Sequence, residues 1–145
     1  MQQIHTRQLF GKYNILGVKI YSLMLYLIYT IYTLVETKKK YVAVKQVREF
    51  IAKQPDICQA EYLAIVERLE VDGFLVEPYA KKVDRKLFEI RIRRGRQVRV
   101  FYYYDSGDMV VGVYAFVKKT QQTPKRELKQ ARKIVAALLR GDIDE

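Results

Sequence analysis

At 145 residues, half apolar and 30% charged, the chain can bury the core of one domain and is not a disordered segment. Residues 81–133 hold 16 Lys/Arg against 5 Asp/Glu, while the rest balances at 11 of each, so the whole formal charge of +11 lies in one segment, which suits a nucleic-acid or acidic protein partner. A single cysteine, Cys58, and a single histidine, His5, exclude an intrachain disulfide and a Cys/His metal cluster and fit a reducing cytoplasm; no acidic cluster suggests a hard-cation site.

Residues 1–23 show no clear period, and Gly11 and Gly17 interrupt them. Met24 stands where a strand-like pattern begins, so the first 23 residues read as an extension, Met24 as a natural start and residues 24–145 as the domain. The uncharged run Ile20–Val35 is shorter than the roughly 20 apolar residues of a membrane span and is studded with Tyr, Thr and Ser. A signal segment is the other option, with Lys12 and Lys19 upstream, but no small-residue cleavage site follows. Its β-branched and aromatic content favours a strand of about Leu25–Glu36.

After a charged turn at Lys38–Lys40, Val44, Val47, Phe50 and Ile51 recur at helical spacing. Pro55 separates that helix from a second carrying Leu63, Val66 and Leu69, which Gly73 ends; the two make an αα-hairpin that serves as scaffold. Phe74–Lys86 is a connector with Pro78 and Lys81-Lys82. In Leu87–Arg93 a period of two puts Phe88, Ile90 and Ile92 on one face and Glu89, Arg91 and Arg93 on the other. Arg94-Gly95-Arg96 turns the chain into Gln97–Tyr104, with Val98, Val100, Tyr102 and Tyr104 facing one way and Arg99, Phe101 and Tyr103 the other. Asp105-Ser106-Gly107-Asp108 is a hairpin turn into Met109–Val117, apolar on both faces and so interior to the sheet, with Lys118 and Lys119 at its end. Thr123 and Pro124 open a last helix as N-cap and first residue, Leu128, Ala131, Val135 and Leu138 form its apolar stripe, and Gly141 stops it.

The meander therefore presents Arg91 and Arg99 on neighbouring antiparallel strands, with Lys118 and Lys119 ending a third. Such a cluster can hold several phosphates, because the planar guanidinium binds phosphate bidentately. Tyr102, Tyr103, Tyr104 and Tyr114 interleave with it and offer faces for base stacking, or else are ordinary strand residues. RNA cleavage requires a deprotonated 2′-OH, a stabilised phosphorane and a protonated 5′-oxygen. Without a histidine pair, arginine and lysine must supply the electrostatic stabilisation. A lysine of depressed pKa, a tyrosine or Glu89 must move the protons; crowded cations make Lys118–Lys119 a candidate.

These residues resemble the RelE/ParE toxin superfamily, and within it the phage-derived HigB-like branch. The resemblance rests on Pro78 with Lys81-Lys82, Leu87-Phe88-Glu89-Ile90-Arg91, Arg99-Val100-Phe101-Tyr102 and Phe116-Val117-Lys118-Lys119-Thr120-Gln121-Gln122-Thr123-Pro124, with Glu127 and Ala131, and covers roughly Leu25–Leu139. It implies an α+β domain: an N-terminal strand, two helices, a curved antiparallel meander and a C-terminal helix. It implies a toxin that cleaves mRNA, usually on the ribosome, needs no cofactor, and is neutralised by an antitoxin that often has a helix-turn-helix fold. Carried over by position, Arg91 and Arg99 are similar to the family's phosphate-contacting strand residues and Lys118 or Lys119 to its basic residue after the last strand, which makes these four the catalytic candidates, while Glu89, a possible proton-transfer group, stands where some relatives carry a basic residue; Lys81, Lys82, Arg93 and Tyr102 are the RNA-binding candidates. The tyrosine that some relatives place near the last helix has no clear counterpart. The rival readings are a ParE-like gyrase inhibitor, which binds a protein and cuts no RNA, and a non-catalytic nucleic-acid-binding domain.

Overall fold

Alternating apolar residues build a five-stranded sheet from β1 (Lys40–Ala43), β2 (Ala80–Lys82), β3 (Phe88–Ile92), β4 (Val98–Tyr104) and β5 (Met109–Val117), ordered β1-β5-β4-β3-β2. β1 runs parallel to β5, and the other neighbours are antiparallel. Four helices accompany it among the described residues: α1 (Leu16–Leu34), α2 (Lys45–Ala52), α3 (Asp56–Asp72) and α4 (Lys125–Arg140). The computed structural model describes residues 16–34, 36–122 and 124–142. Residues 1–15, where most of the expected extension falls, and Thr123, the expected helix cap, lie outside them.

The chain divides into two units, residues 1–36 and 37–145. In the first, α1 replaces the strand expected at Leu25–Glu36, and the domain start expected at Met24 falls inside it. The run Leu23-Met24-Leu25 joins good helix formers, which outweigh the β-branched and tyrosine content. Thr30 accommodates itself by donating its hydroxyl to the Tyr26 carbonyl at 2.7 Å. No helix among the described residues is long and apolar enough to cross a membrane.

In the second unit the α+β architecture is as the sequence implies, in a RelE-like arrangement. The strand ahead of the αα-hairpin is β1, beginning within the expected lysine turn. Where β1 ends, α2 continues its role: Gln46 accepts from the Ala115 N–H at 3.0 Å and donates to the Ala115 carbonyl at 3.1 Å. Helix α3 buries Cys58, Tyr62, Ile65 and Leu69, whereas Leu63, expected on the inner face, is 63% exposed. Each fully buried aliphatic of this kind contributes roughly 1.5–3 kcal/mol. Tyr62 also donates to or accepts from Tyr41 at 3.0 Å between hydroxyls, and the Tyr41 ring lies so close over Gly112 that any side chain there would collide with it.

Helix α4 packs on the other face, where Tyr114 of β5 meets Glu127 in its first turn. Its helical turns begin at Lys125, so Pro124 occupies the N-cap position and not the first helical one. Ala131 is its fully buried contact, flanked by half-buried Leu128, Val135 and Leu138. Between Phe101 and Tyr102 the pairing with β5 slips by one residue: Phe101 faces Tyr114, but Tyr102 faces Gly112. Such a bulge bends the strand pair.

Candidate functional site

The period-two pattern gathers charge on the α4 face of the sheet. Lys81 pairs with Glu89 and Arg91 with Arg99 in direct register. Directly opposed residues share a face, so four ionic side chains from three strands converge. Lys118 joins them because its N–H donates to the Gln97 carbonyl at 2.7 Å, extending the β4–β5 ladder by one residue.

At the centre lies Glu89, only 1% exposed. Its Oε1 accepts from Arg91 Nε at 3.0 Å and stands 3.9 Å from Arg99 Nε. Arg99 is itself 6% exposed. Its Nη1 donates to the Ile92 and Val98 carbonyls at 3.1 and 2.9 Å, and its Nη2 donates to Gln97 Oε1 at 3.2 Å. Arg99 is therefore a buried strut with a charge, while the half-buried Arg91, held through Nε, can turn its two terminal nitrogens outward. Glu89 Oε2 and Arg99 Nε are buried and lack a hydrogen-bond partner among the described residues.

Burial pulls the Arg99 pKa below its ordinary value; Glu89 opposes this, and Arg91 and Arg93 add to it. A guanidinium so displaced still stays charged at neutral pH. Lys118 is also held below the ordinary lysine value, first by partial burial and then by Arg99, Arg91 and Lys81, with Glu89 working the other way. A lysine among cations and partly out of water is suited to giving and taking protons.

Of the other candidates, Lys81 joins the cluster opposite Glu89 with its own side chain exposed, the exposed Arg93 lies near enough to act on Arg99, and Lys119 is exposed beyond the end of β5. Lys82 pairs with Phe88 on the opposite face, its ammonium 6.0 Å from that ring, so it does not join the cluster. Tyr102 corrects the expectation of base stacking: it is wholly buried, stacked on Phe88 at 5.5 Å and edge-on to Tyr104 at 5.7 Å. Burial raises its pKa, so it is no proton acceptor either. Glu89, expected as a possible proton-transfer group, has its carboxylate beneath the arginines and not at the surface. Gln97 is a site residue the sequence reading passed over, although it stands two residues before Arg99 on the same face. Among the described residues no three His, Cys, Asp or Glu side chains gather as a metal site would require.

Residues 49–136 match the family described as Phage derived protein Gp49-like (DUF891), a span that contains the whole charged cluster. No curated protein matches the chain. With more than half its length matched, the chain belongs to the Gp49-like phage-derived protein family.

Proposed function

We propose that this protein is a toxin of the RelE/ParE superfamily, from its HigB-like branch, acting in the cytoplasm as an endoribonuclease on ribosome-bound mRNA. The observation that carries the reading is the Arg91–Arg99 register pair held on one buried carboxylate, with Lys118 beside it. A sheet is a rigid mount, and phosphate chemistry without a metal needs donors fixed before the charge develops. In this mechanism the 2′-oxygen attacks the adjacent phosphorus, the 5′-oxygen leaves, and a cyclic phosphate remains. Arg91 binds the non-bridging oxygens, Arg99 adds its buried charge from below, and Lys118 carries the proton between the 2′-hydroxyl and the 5′-oxygen. The reaction uses no cofactor. A cognate antitoxin, of helix-turn-helix type as in the family it resembles, keeps the toxin silent.

The test is expression of the chain alone in cells, followed by primer extension on mRNA beside a DNA supercoiling assay. New mRNA 5′ ends, arrested translation and unchanged supercoiling are expected, with growth restored by a neighbouring gene's product. Altered supercoiling with intact mRNA would instead make it a gyrase poison, and growth unimpaired at confirmed soluble expression would remove the toxin reading.

A further inference from the structure

Ile57, Ala60, Ala64 and Arg68 follow one another at intervals of three and four residues, so they form one stripe along α3, and all four are exposed. With Tyr79 and Arg94 they line a recess of about 320 Å³ on the α3 side of the sheet, away from the arginine–lysine cluster. Both ends of the recess are held. The turn that carries Arg94 is fastened to α3: Glu61 Oε2 accepts from the backbone N–H groups of Arg93 and Arg94 at 2.9 and 2.7 Å, and Cys58 donates its thiol to the Arg94 carbonyl at 2.9 Å. Gly95 sits at φ +72°, and a Cβ there would come within 2.8 Å of Ile57 Cγ2, so the turn lies flush on the helix. Toward the other end, the Arg68 guanidinium lies over the Tyr79 ring, 4.7 Å from its centroid.

The charges of the recess are unmatched. Glu61 is engaged by main-chain N–H groups, and neither Arg68 nor Arg94 makes a side-chain hydrogen bond or ion pair among the described residues. A carboxylate arriving at either guanidinium would therefore break no existing pair. Between them the floor is low and apolar. Ala60 and Ala64 carry only methyl groups, and Ile57 is 50% exposed beside them. Side chains this small let a second helix approach to the short end of the usual interaxial range, about 8 Å. From Ile57 to Arg68 the stripe runs about 16 Å, three helical turns. RNA fits less well, because Arg68 already covers a face of Tyr79, the aromatic ring of the recess, and the Glu61 charge would meet the phosphates.

We propose that this recess docks an amphipathic helix of a partner protein, with its apolar stripe on Ala60 and Ala64 and a carboxylate toward each of Arg68 and Arg94. Small floor residues set the close approach, and the two cations set the register of the acids. The inference rests on the toxin reading for the carrier of that helix, which is then the antitoxin.

The experiment titrates the purified product of the neighbouring gene into the full wild-type chain and three variants, each well below its melting temperature. Arg68→Ala/Arg94→Ala removes both cations. Ala60→Gln/Ala64→Gln fills the floor with good helix formers at exposed positions. Lys129→Ala/Lys133→Ala removes the same charge from the exposed face of α4. A lost charge-assisted hydrogen bond costs roughly ten- to a hundredfold in affinity, so the arginine pair should lose at least about a hundredfold. The glutamine pair should lose at least about tenfold by overpacking the contact, and the lysine pair should stay within about fivefold of wild type. Recess variants that bind as wild type does, in a chain that arrests growth, overturn the docking site and leave the toxin reading standing. Recess-dependent binding by a chain that neither arrests growth nor cuts RNA keeps the docking site and removes the toxin reading. A wild-type chain without affinity for the product overturns the docking site whatever it does to RNA. An arginine pair that loses affinity for single-stranded RNA and keeps it for the product makes the recess a nucleic-acid surface, which also overturns the proposal.

Discussion

Replacing Glu89 with glutamine keeps the shape of the side chain and removes its charge. In the wild type that charge faces Arg91 Nε at 3.0 Å and Arg99 Nε at 3.9 Å, at 1% exposure. The amide can still accept from Arg91, but Arg99, 6% exposed, is left without its counter-charge. Removing one partner of a buried ion pair costs about 3–5 kcal/mol. For a domain of this size even the lower figure corresponds to a fall in Tm of roughly 10–13 °C. The companion variant Glu89→Met/Arg99→Met should recover most of that loss, because a buried pair replaced by apolar side chains of similar volume is often neutral. Thermal unfolding of both variants, with RNA cleavage measured well below each Tm, tests the argument. If Glu89→Gln melts with the wild type yet cannot cut RNA, the carboxylate is a proton-transfer group and the counter-ion account is wrong.

Arg91→Ala should lower Tm, because it takes from the buried Glu89 carboxylate its 3.0 Å partner, and in the protein still folded should lower single-turnover cleavage by roughly 10²–10³, the usual cost of one fixed donor to a developing oxyanion, with partial rescue by lysine. Lys118 supplies a pH signature: its folded pKa lies below its unfolded one, so native Lys118 gives up its proton first as pH rises. Stability should therefore climb with pH from the folded pKa up to the ordinary lysine value, and Lys118→Met should remove that climb in pH-resolved denaturant titrations. Cleavage should rise with pH over the same window as the neutral amine accumulates, and Lys118→Arg, permanently charged, should flatten the profile. Tyr102→Phe should leave RNA affinity unchanged by direct titration, since the ring is sealed between Phe88 and Tyr104.

The pairing of Arg91 with Arg99 was legible from the sequence because a period of two fixes faces and a tight turn fixes register. Depth was not. Alternation puts Arg99 and Arg91 on one side of the sheet but does not show that Arg99 lies down on the Ile92 and Val98 carbonyls or that Glu89 pairs with both guanidiniums, and so left Arg99 and Glu89 looking accessible. The same limit applies to Tyr102, whose face was assigned correctly and whose burial depends on Phe88 and Tyr104 closing over it. Helix α1 was misread because an uncharged run of Leu, Ile, Thr and Tyr satisfies helix and strand templates alike. At four residues β1 is too short to show a period, and its pairing to β5 is parallel and distant in sequence. The fastening of the Arg93–Arg96 turn was invisible, since it depends on Glu61 and Cys58 of another element.

The central claim is that arginine and lysine on this sheet cut RNA without a metal. It is tested most directly by incubating the purified chain with programmed ribosomes and end-labelled mRNA in excess EDTA, beside Arg91→Ala. If magnesium removal disrupts the ribosomes, chelation is replaced by exchange into cobalt hexammine, which supports charge neutralisation and offers no open coordination position. The account predicts cleavage by wild type that leaves a cyclic phosphate and a free 5′-hydroxyl, and its near loss in the variant. Cleavage equal in both proteins, or none by folded wild-type protein on ribosomes shown to be intact, would contradict it.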